Sequence, residues 1–320
     1  MDQIRKLGVA IIGAGFWGRN HARNLKELGE TRLVAVCDKD ETKAKAVAEL
    51  FGVEAYTDSG KMLKRKDVEA VTVCTWSTTL AMEALKALKA GKHVLIEKPM
   101  ANTVKEAERI VGLAKRQHLC LMVGFLMRFI PGVQRIKQAV DKCEIGGVVY
   151  ATARRVSQWP ERIGDVGVVK DLAIHDIDVT RYLFDDEPIE VYAKAGNFRH
   201  KKFEDHAQIL VTFKGKQTTF IEANWLTPYK IRKLTVTGSE AIMTLDYITQ
   251  EITMETAGQT LAPRYEVKEP LKLELQHFAN SILNDREPMI TGVDGLRALQ
   301  VAEAALKSAR RGTAVRLEPF

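Results

Sequence analysis

Residues 7–18 read Leu7-Gly8-Val9-Ala10-Ile11-Ile12-Gly13-Ala14-Gly15-Phe16-Trp17-Gly18, an apolar run that passes directly into the spacing G-x-G-x-x-G. A short run without polar alternation suits a strand buried on both faces. The glycines let the chain turn tightly and let its backbone approach a pyrophosphate, which the free N–H groups at the start of the following helix stabilise. Asp38 closes the next β-rich run, 20 residues after Gly18, where an acid hydrogen-bonds an adenosine ribose. Together they predict a dinucleotide site built from Gly13, Gly15, Phe16, Trp17, Gly18 and Asp38. A carboxylate there repels a 2′-phosphate, so NAD is expected over NADP, with Lys39 beside it acting in the opposite sense.

Outward from this loop the alternation continues. Residues 33–37, 68–74, 93–97 and 120–125 read as further buried strands, and 15–28, 41–51, 78–90 and 104–115 as the helices between them. Strands separated by helices of this length give a doubly wound parallel sheet covered on both faces, an α/β Rossmann arrangement. After Pro131 the pattern changes. A helix over 131–141 is followed by 148–156, a helical patch over 169–183, and alternating segments at 189–195, 207–213, 218–223, 231–237, 241–246 and 251–254, with Lys214-Gly215-Lys216 as a hairpin turn. Helices over 271–283 and 293–311 close the chain. The reading is a dinucleotide-binding domain over 1–123 and, over 124–320, an α+β domain with a large, mostly antiparallel open sheet for substrate binding and oligomerisation.

Composition narrows the class. The chain has 320 residues, 46% hydrophobic and 28% charged, enough to bury a sizeable core and too apolar for intrinsic disorder. No window reaches the roughly 18 uninterrupted apolar residues of a membrane span, and no secretory cleavage pattern follows the first apolar run, so a cytoplasmic protein is expected. The net charge of +7 comes from cations interleaved with acids, which suits a local anionic pocket and not a nucleic-acid surface. Cys37, Cys74, Cys120 and Cys143 show no metal spacing and read as small buried hydrophobes; no metal site is expected.

Two further motifs bear chemistry. Glu97-Lys98-Pro99 follows a strand at the carboxyl edge, where open α/β sheets hold ligands. Asp171-Leu172-Ala173-Ile174-His175 puts a carboxylate and an imidazole at i and i+4 of a segment whose neighbours are apolar enough to bury it. With these motifs in this order, the sequence resembles the Gfo/Idh/MocA oxidoreductases, named for glucose-fructose oxidoreductase and inositol dehydrogenase. Gly124-Phe125, Arg128-Phe129, Pro131, Arg286-Glu287-Pro288 and 292–305 extend the resemblance over nearly the whole chain.

The resemblance implies a Rossmann domain followed by a domain with a large open sheet, and a homodimer or homotetramer formed through that sheet. It implies Lys98 as the group that hydrogen-bonds the reacting hydroxyl, Glu97 near the nicotinamide ribose, and a cis bond before Pro99. Asp171 and His175 correspond to the pair lining the substrate pocket, His175 as proton acceptor. The chain departs from the family after the third sheet strand: Thr75-Trp76-Ser77-Thr78-Thr79-Leu80 stands where Thr-Pro-Asn and then a histidine are common. Thr75 and Trp76 are the residues placed against the cofactor there.

The chemistry of alcohol oxidation suits these roles. A secondary alcohol releases hydride only as its hydroxyl proton leaves, so the site needs a base near neutrality and a cation beside the developing alkoxide. The stretches 165–178 and 222–230 look like the UDP-N-acetylglucosamine 3-dehydrogenase branch. A diphosphate there would be met by Arg154, Arg155, Arg162, Lys230, Arg232 or Lys233, and Trp159, Trp225 or Tyr229 offer faces for uracil. An inositol or free-sugar dehydrogenase would use the same Lys98, Asp171 and His175 without those cations. A non-catalytic NAD-binding regulator on this fold is the third reading, against which the presence of both Lys98 and His175 stands.

Overall fold

The computed structural model describes residues 5–160 and 165–318. The chain divides into two compact units, one of residues 1–126 with 269–296, the other of 127–268 with 297–320.

The first unit is a parallel sheet of six strands: β1 (Leu7–Ile12), β2 (Thr31–Cys37), β3 (Glu54–Tyr56), β4 (Ala70–Val73), β5 (His93–Glu97) and β6 (Leu121–Gly124). Their order is β3-β2-β1-β4-β5-β6, so the winding reverses between β1 and β4. The connecting helices are α1 (Phe16–Glu27), α2 (Glu41–Phe51), α3 (Ser59–Leu63), α4 (Ser77–Lys89) and α5 (Val104–Arg116). Every residue of β1 and β4 is buried, which is why these runs carry no polar alternation. Three-residue β3 and five-residue α3 were absent from the sequence reading; both are too short to show a period.

The second unit holds α6 (Pro131–Asp141), a π-wound turn at Val169–Ala173 that continues into α7 (Ile174–Phe184), and a nine-stranded sheet. Its strands are β7 (Val148–Val156), β8 (Pro188–Gly196), β9 (His206–Phe213), β10 (Thr218–Asn224), β11 (Ile231–Gly238), β12 (Ala241–Asp246), β13 (Glu251–Thr256), β14 (Thr260–Leu261) and β15 (Val315–Arg316). The order is β14-β13-β12-β11-β7-β10-β9-β8-β15, antiparallel except where β10 runs parallel to β7. Alternate residues face a helical layer: Val191, Ala193, Ile209, Val211, Ile221, Ala153, Leu234 and Met243 are each at most 1% exposed. The 213–217 turn takes its left-handed residue at Lys216, φ 73°, and not at Gly215.

The chain's last two helices are α8 (Pro270–Leu283) and α9 (Gly292–Arg311). Here the 124–320 partition is corrected, because α8 belongs to the first unit. Glu269 accepts hydrogen bonds from Arg23 and, at 3.0 Å, from Asn24; Lys272 meets Glu27 at 3.0 Å and Gln276 meets Glu30 at 2.7 Å. The first turn of α9 seats on the same sheet without room for a side chain: a Cβ at Gly295 would lie 2.6 Å from Met100 Sδ, and one at Gly292 2.4 Å from Leu121 Cδ2. Partners some 245 residues apart leave no local signal. A second correction concerns the cysteines. Cys37 is buried and Cys74 and Cys120 are half-buried, but Cys143 is exposed, on a left-handed residue just past α6.

Candidate functional site

In the first unit the candidate residues gather at the carboxyl ends of β1, β2, β4 and β5. Gly13 has φ +103°, and a Cβ on it would lie 2.7 Å from the Cys74 carbonyl and 2.9 Å from Thr75 N, so only glycine lets the β1 and β4 loops touch where the winding reverses. A Cβ on Gly18 would stand 1.7 Å from Gly13 O, which makes that glycine a condition of seating α1. Gly15 differs from both: its φ is −74° and nothing lies within 4 Å of a Cβ there. No internal contact demands glycine at 15, whereas a pyrophosphate resting on the backbone would. The start of α1 has no side-chain cap and no acid in its first turn, leaving its N–H groups and positive end for an anion. Phe16 and Trp17 stand 73% and 41% exposed beside it, rings edge to face at 5.6 Å.

Asp38 sits just past β2 and is fixed in place: Oδ2 accepts the Ala14 N–H at 2.7 Å and Oδ1 the Asp40 N–H at 2.9 Å. Its carboxylate is thereby tied to the glycine loop, and each oxygen keeps a lone pair for a ribose hydroxyl. Thr75 and exposed Trp76 form the loop into α4, where Trp76 O accepts from the Thr79 hydroxyl at 3.1 Å. Glu97 ends β5, buried, and Lys98 follows it, half-buried, with a cis bond to Pro99. These residues fit a dinucleotide: the glycine loop would hold its pyrophosphate and Asp38 its adenosine ribose.

Sequence reasoning missed His21. It is wholly buried, with Nε2 3.1 Å from Glu97 Oε1. The available signal was spacing: Gly18, His21, Ala22 and Leu25 are the buried positions of one α1 face.

In the second unit, Asp171 lies in the π turn and His175 one residue into α7. The expected ordinary helix over 169–183 is thus wound with i→i+5 bonds at its start, a departure frequent at functional sites. His175, Asp176 and Asp178 are 6%, 1% and 0% exposed. Two buried arginines neutralise the last two: Arg155 grips Asp176 through Nε at 2.7 Å and Nη2 at 2.8 Å, and Arg128 grips Asp178 at 2.9 and 2.6 Å.

These pairs correct part of the proposed cation clamp. Arg155 is committed to Asp176 and stacked 5.0 Å over the buried Tyr247 ring. Arg154, its neighbour in β7, points to the opposite face, where it meets Glu222 at 2.9 Å; in register it opposes Lys233. Arg232 opposes Arg155 in register and shares its face. The Arg232 guanidinium has no ion pair or hydrogen bond among the described residues. Burial, then the charge of Arg155, pulls its pKa down to about 10 against the opposing effect of Asp176 and Asp171. Lys230 is lowered too, first by Arg232 and then by burial. Of the aromatic candidates, Trp159 lies under Arg199, 4.4 Å from guanidinium to ring centroid, and edge-on to buried Trp225 at 6.3 Å; Tyr229 is 64% exposed. Arg162 lies outside the described residues. No group of three or more His, Cys, Asp or Glu side chains among the described residues is placed to hold a metal, and no helix of the described residues is long and apolar enough to cross a membrane.

Comparison with known proteins bears on both units. Residues 7–125 match the oxidoreductase family with the NAD-binding Rossmann fold, and residues 133–244 match the GFO/IDH/MocA C-terminal domain. The myo-inositol 2-dehydrogenase of Thermotoga maritima is 29% identical over 97% of this chain and 98% of its own length. The scyllo-inositol 2-dehydrogenase (NAD(+)) of Bacillus subtilis is 29% identical over 97% and 96%. The structure of UDP-N-acetylglucosamine 3-dehydrogenase from Acidithiobacillus ferrooxidans superposes with a TM-score of 0.89 at 27% identity, covering 96% of this chain and 98% of that one. An uncapped glycine loop on a parallel sheet, a mixed nine-stranded sheet behind it in the chain, and matches running through both make this chain a member of the Gfo/Idh/MocA family, an NAD-binding dehydrogenase acting on CH–OH groups.

Proposed function

We propose that the chain oxidises a secondary hydroxyl of a UDP-sugar, with the 3-hydroxyl of UDP-N-acetylglucosamine the first to test. The observation that carries this is Arg232, a partly buried guanidinium with no counter-ion among the described residues, beside Lys230 and under the electrostatic influence of Asp171. Holding an unpaired cation there costs free energy that an anionic ligand would return; a neutral polyol gives it no partner. Bound NAD supplies the hydride acceptor. In this reading His175 takes the hydroxyl proton, Asp171 orients its ring, and Lys98 stabilises the developing alkoxide. The substrate cations reduce to Arg232 and Lys230, since Arg155 serves Asp176 and Arg154 faces away.

The test is a titration of UDP into the NAD-loaded protein, alongside a turnover screen of UDP-sugars, inositols and free hexoses. Arg232→Ala should weaken UDP binding about tenfold or more, the scale of one charge-assisted hydrogen bond, and leave any inositol turnover unchanged. No UDP binding by wild type at millimolar concentration ends the UDP-sugar reading. Inositol oxidation then takes its place, favoured by the loss of Arg154 and Arg155 from the clamp.

A second copy of the chain is the partner this reading carries. On the sheet face away from the helices, Tyr192, Leu210 and Phe220 oppose one another in register and are 37%, 42% and 42% exposed. Thr152, Thr235 and Thr244 continue the row. A mid-sheet band this apolar is what a self-complementary interface buries. Sedimentation should give a dimer or tetramer, and Leu210→Glu a lighter species; a wild-type monomer would dismiss the interface.

A further inference from the structure

Three elements, α1, β5 and β6, meet at one carboxylate in the first unit. Glu97 at the end of β5 receives His21 of α1 on Oε1 at 3.1 Å and the Lys98 N–H on Oε2 at 3.2 Å. Its register partner on β6 is Gly124, where a Cβ would stand 3.1 Å from Oε2 and 3.2 Å from the carboxyl carbon. The glycine thus leaves the space that the carboxylate fills. Cys74, following β4, acts electrostatically on the same imidazole. Burial alone would drive His21 to its neutral form; Cys74 and Glu97 outweigh burial and hold its pKa well above the ordinary value.

A buried carboxylate at the root of a functional loop is costly unless something holds and neutralises it. His21 does this from a helix whose other end of business is the glycine loop, so the cofactor cradle and the Glu97-Lys98 turn share one anchor. We propose that His21 is a positioning residue for Lys98: it fixes the Glu97 carboxylate, whose second oxygen holds the Lys98 N–H and so sets the turn from which the Lys98 side chain projects. The inference rests on the reading of Lys98 as the residue beside the reacting hydroxyl, but its structural half stands apart from any substrate. If His21 only filled the core, an apolar side chain of similar length would replace it without effect on the turn.

The experiment compares His21→Met with His21→Gln in the NAD-loaded protein. The glutamine amide reaches about as far as Nε2 and can donate to Glu97; methionine fills the space and donates nothing. The first readout is hydrogen exchange at the Lys98 amide, which needs no substrate. It should quicken about tenfold or more in His21→Met and recover most of that in His21→Gln. The second readout is turnover of the alcohol found in the screen: kcat should fall about tenfold in His21→Met, with KM for NAD changed less than about threefold, and recover in His21→Gln. Unchanged Lys98 exchange in His21→Met, or equal quickening in both variants, overturns the proposal. Should no alcohol turn over, the functional reading fails while the exchange result still decides this one. If His21→Met does not fold, His21→Asn replaces it, its amide too short to reach Glu97.

Discussion

At the Gly13–Gly18 loop, readiness for an anion is a property of the backbone, while on β7 and β11 the role of each cation depends on which way the strand faces. The loop needs no particular side chain: a left-handed Gly13, a Gly18 with no space for a Cβ and an open Gly15 suffice. On the strands four cations in two adjacent pairs, Arg154 with Arg155 and Arg232 with Lys233, divide between opposite faces of the sheet. One of the pair on the helical face is consumed by Asp176. The loop's chemistry is therefore carried by spacing along the chain. The strands' chemistry is carried by register with distant residues, and the same residue type means a structural clamp at 155, a surface pair at 154 and, at 232, a cation without a partner among the described residues.

The sharpest way to break this comparison is to treat the neighbours Arg154 and Arg155 alike. Arg155→Ala leaves Asp176 charged and buried without its bidentate partner, which should destabilise the protein by about 3–5 kcal/mol. Arg154→Ala removes a half-exposed pair with Glu222 and should cost less than about 1 kcal/mol. Denaturant unfolding of the two variants reads the difference directly. Equal losses would mean that the face of the strand does not decide the role.

A smaller effect distinguishes the glycines. Gly15→Ala meets nothing in the protein, so its thermal midpoint without cofactor should match wild type, yet NAD affinity should fall roughly tenfold to a hundredfold as the methyl displaces the pyrophosphate from one or two N–H groups. Gly18→Ala should lose stability as well as affinity, because its Cβ overlaps Gly13 O. Calorimetric titration with NAD, beside thermal unfolding of the free proteins, separates the two. Normal NAD binding by Gly15→Ala would remove the argument that its openness serves a phosphate.

The same contrast explains what could be read from the sequence. The five longer strands of the first sheet were legible because burial on both faces makes each one a continuous apolar run, and the glycine spacing is local by nature. The second sheet was legible as alternating segments. Its sidedness was not, since assigning Arg154 and Arg155 to faces requires the register of β7 against β10 and β11. The placement of α8 failed for a similar reason: the groups that bind Glu269, Lys272 and Gln276 all lie in residues 23–30. His21 escaped because a lone histidine on an apolar helix face reads as core until Glu97 is seen against it.

The smallest effects should separate the two units by pH. His21, in the first, has a pKa raised well above its ordinary value, with burial opposing and Cys74 and Glu97 prevailing. Its contribution is fully present below the unfolded value of about 6.5 and is lost as pH rises through the folded value. Asp205, in the second, is buried and would be raised by that burial. Instead the N–H groups of Phe198, Arg199 and His200, at 2.6 to 3.0 Å, and the His206 ring at 3.1 Å hold it down at about 2. Its contribution is fully present above about 3.9 and is lost as pH falls through about 2. The first unit should therefore loosen on the alkaline side and the second on the acid side. Hydrogen exchange resolved by peptide, followed from pH 3 to 9 after correction for the intrinsic pH dependence of exchange, should show residues 7–30 and 93–99 losing protection at the high end and residues 196–207 at the low end. His21→Gln should flatten only the first trend and Asp205→Asn only the second. If both variants flattened the same limb, the pH response would belong to the chain's overall charge and not to these two buried groups.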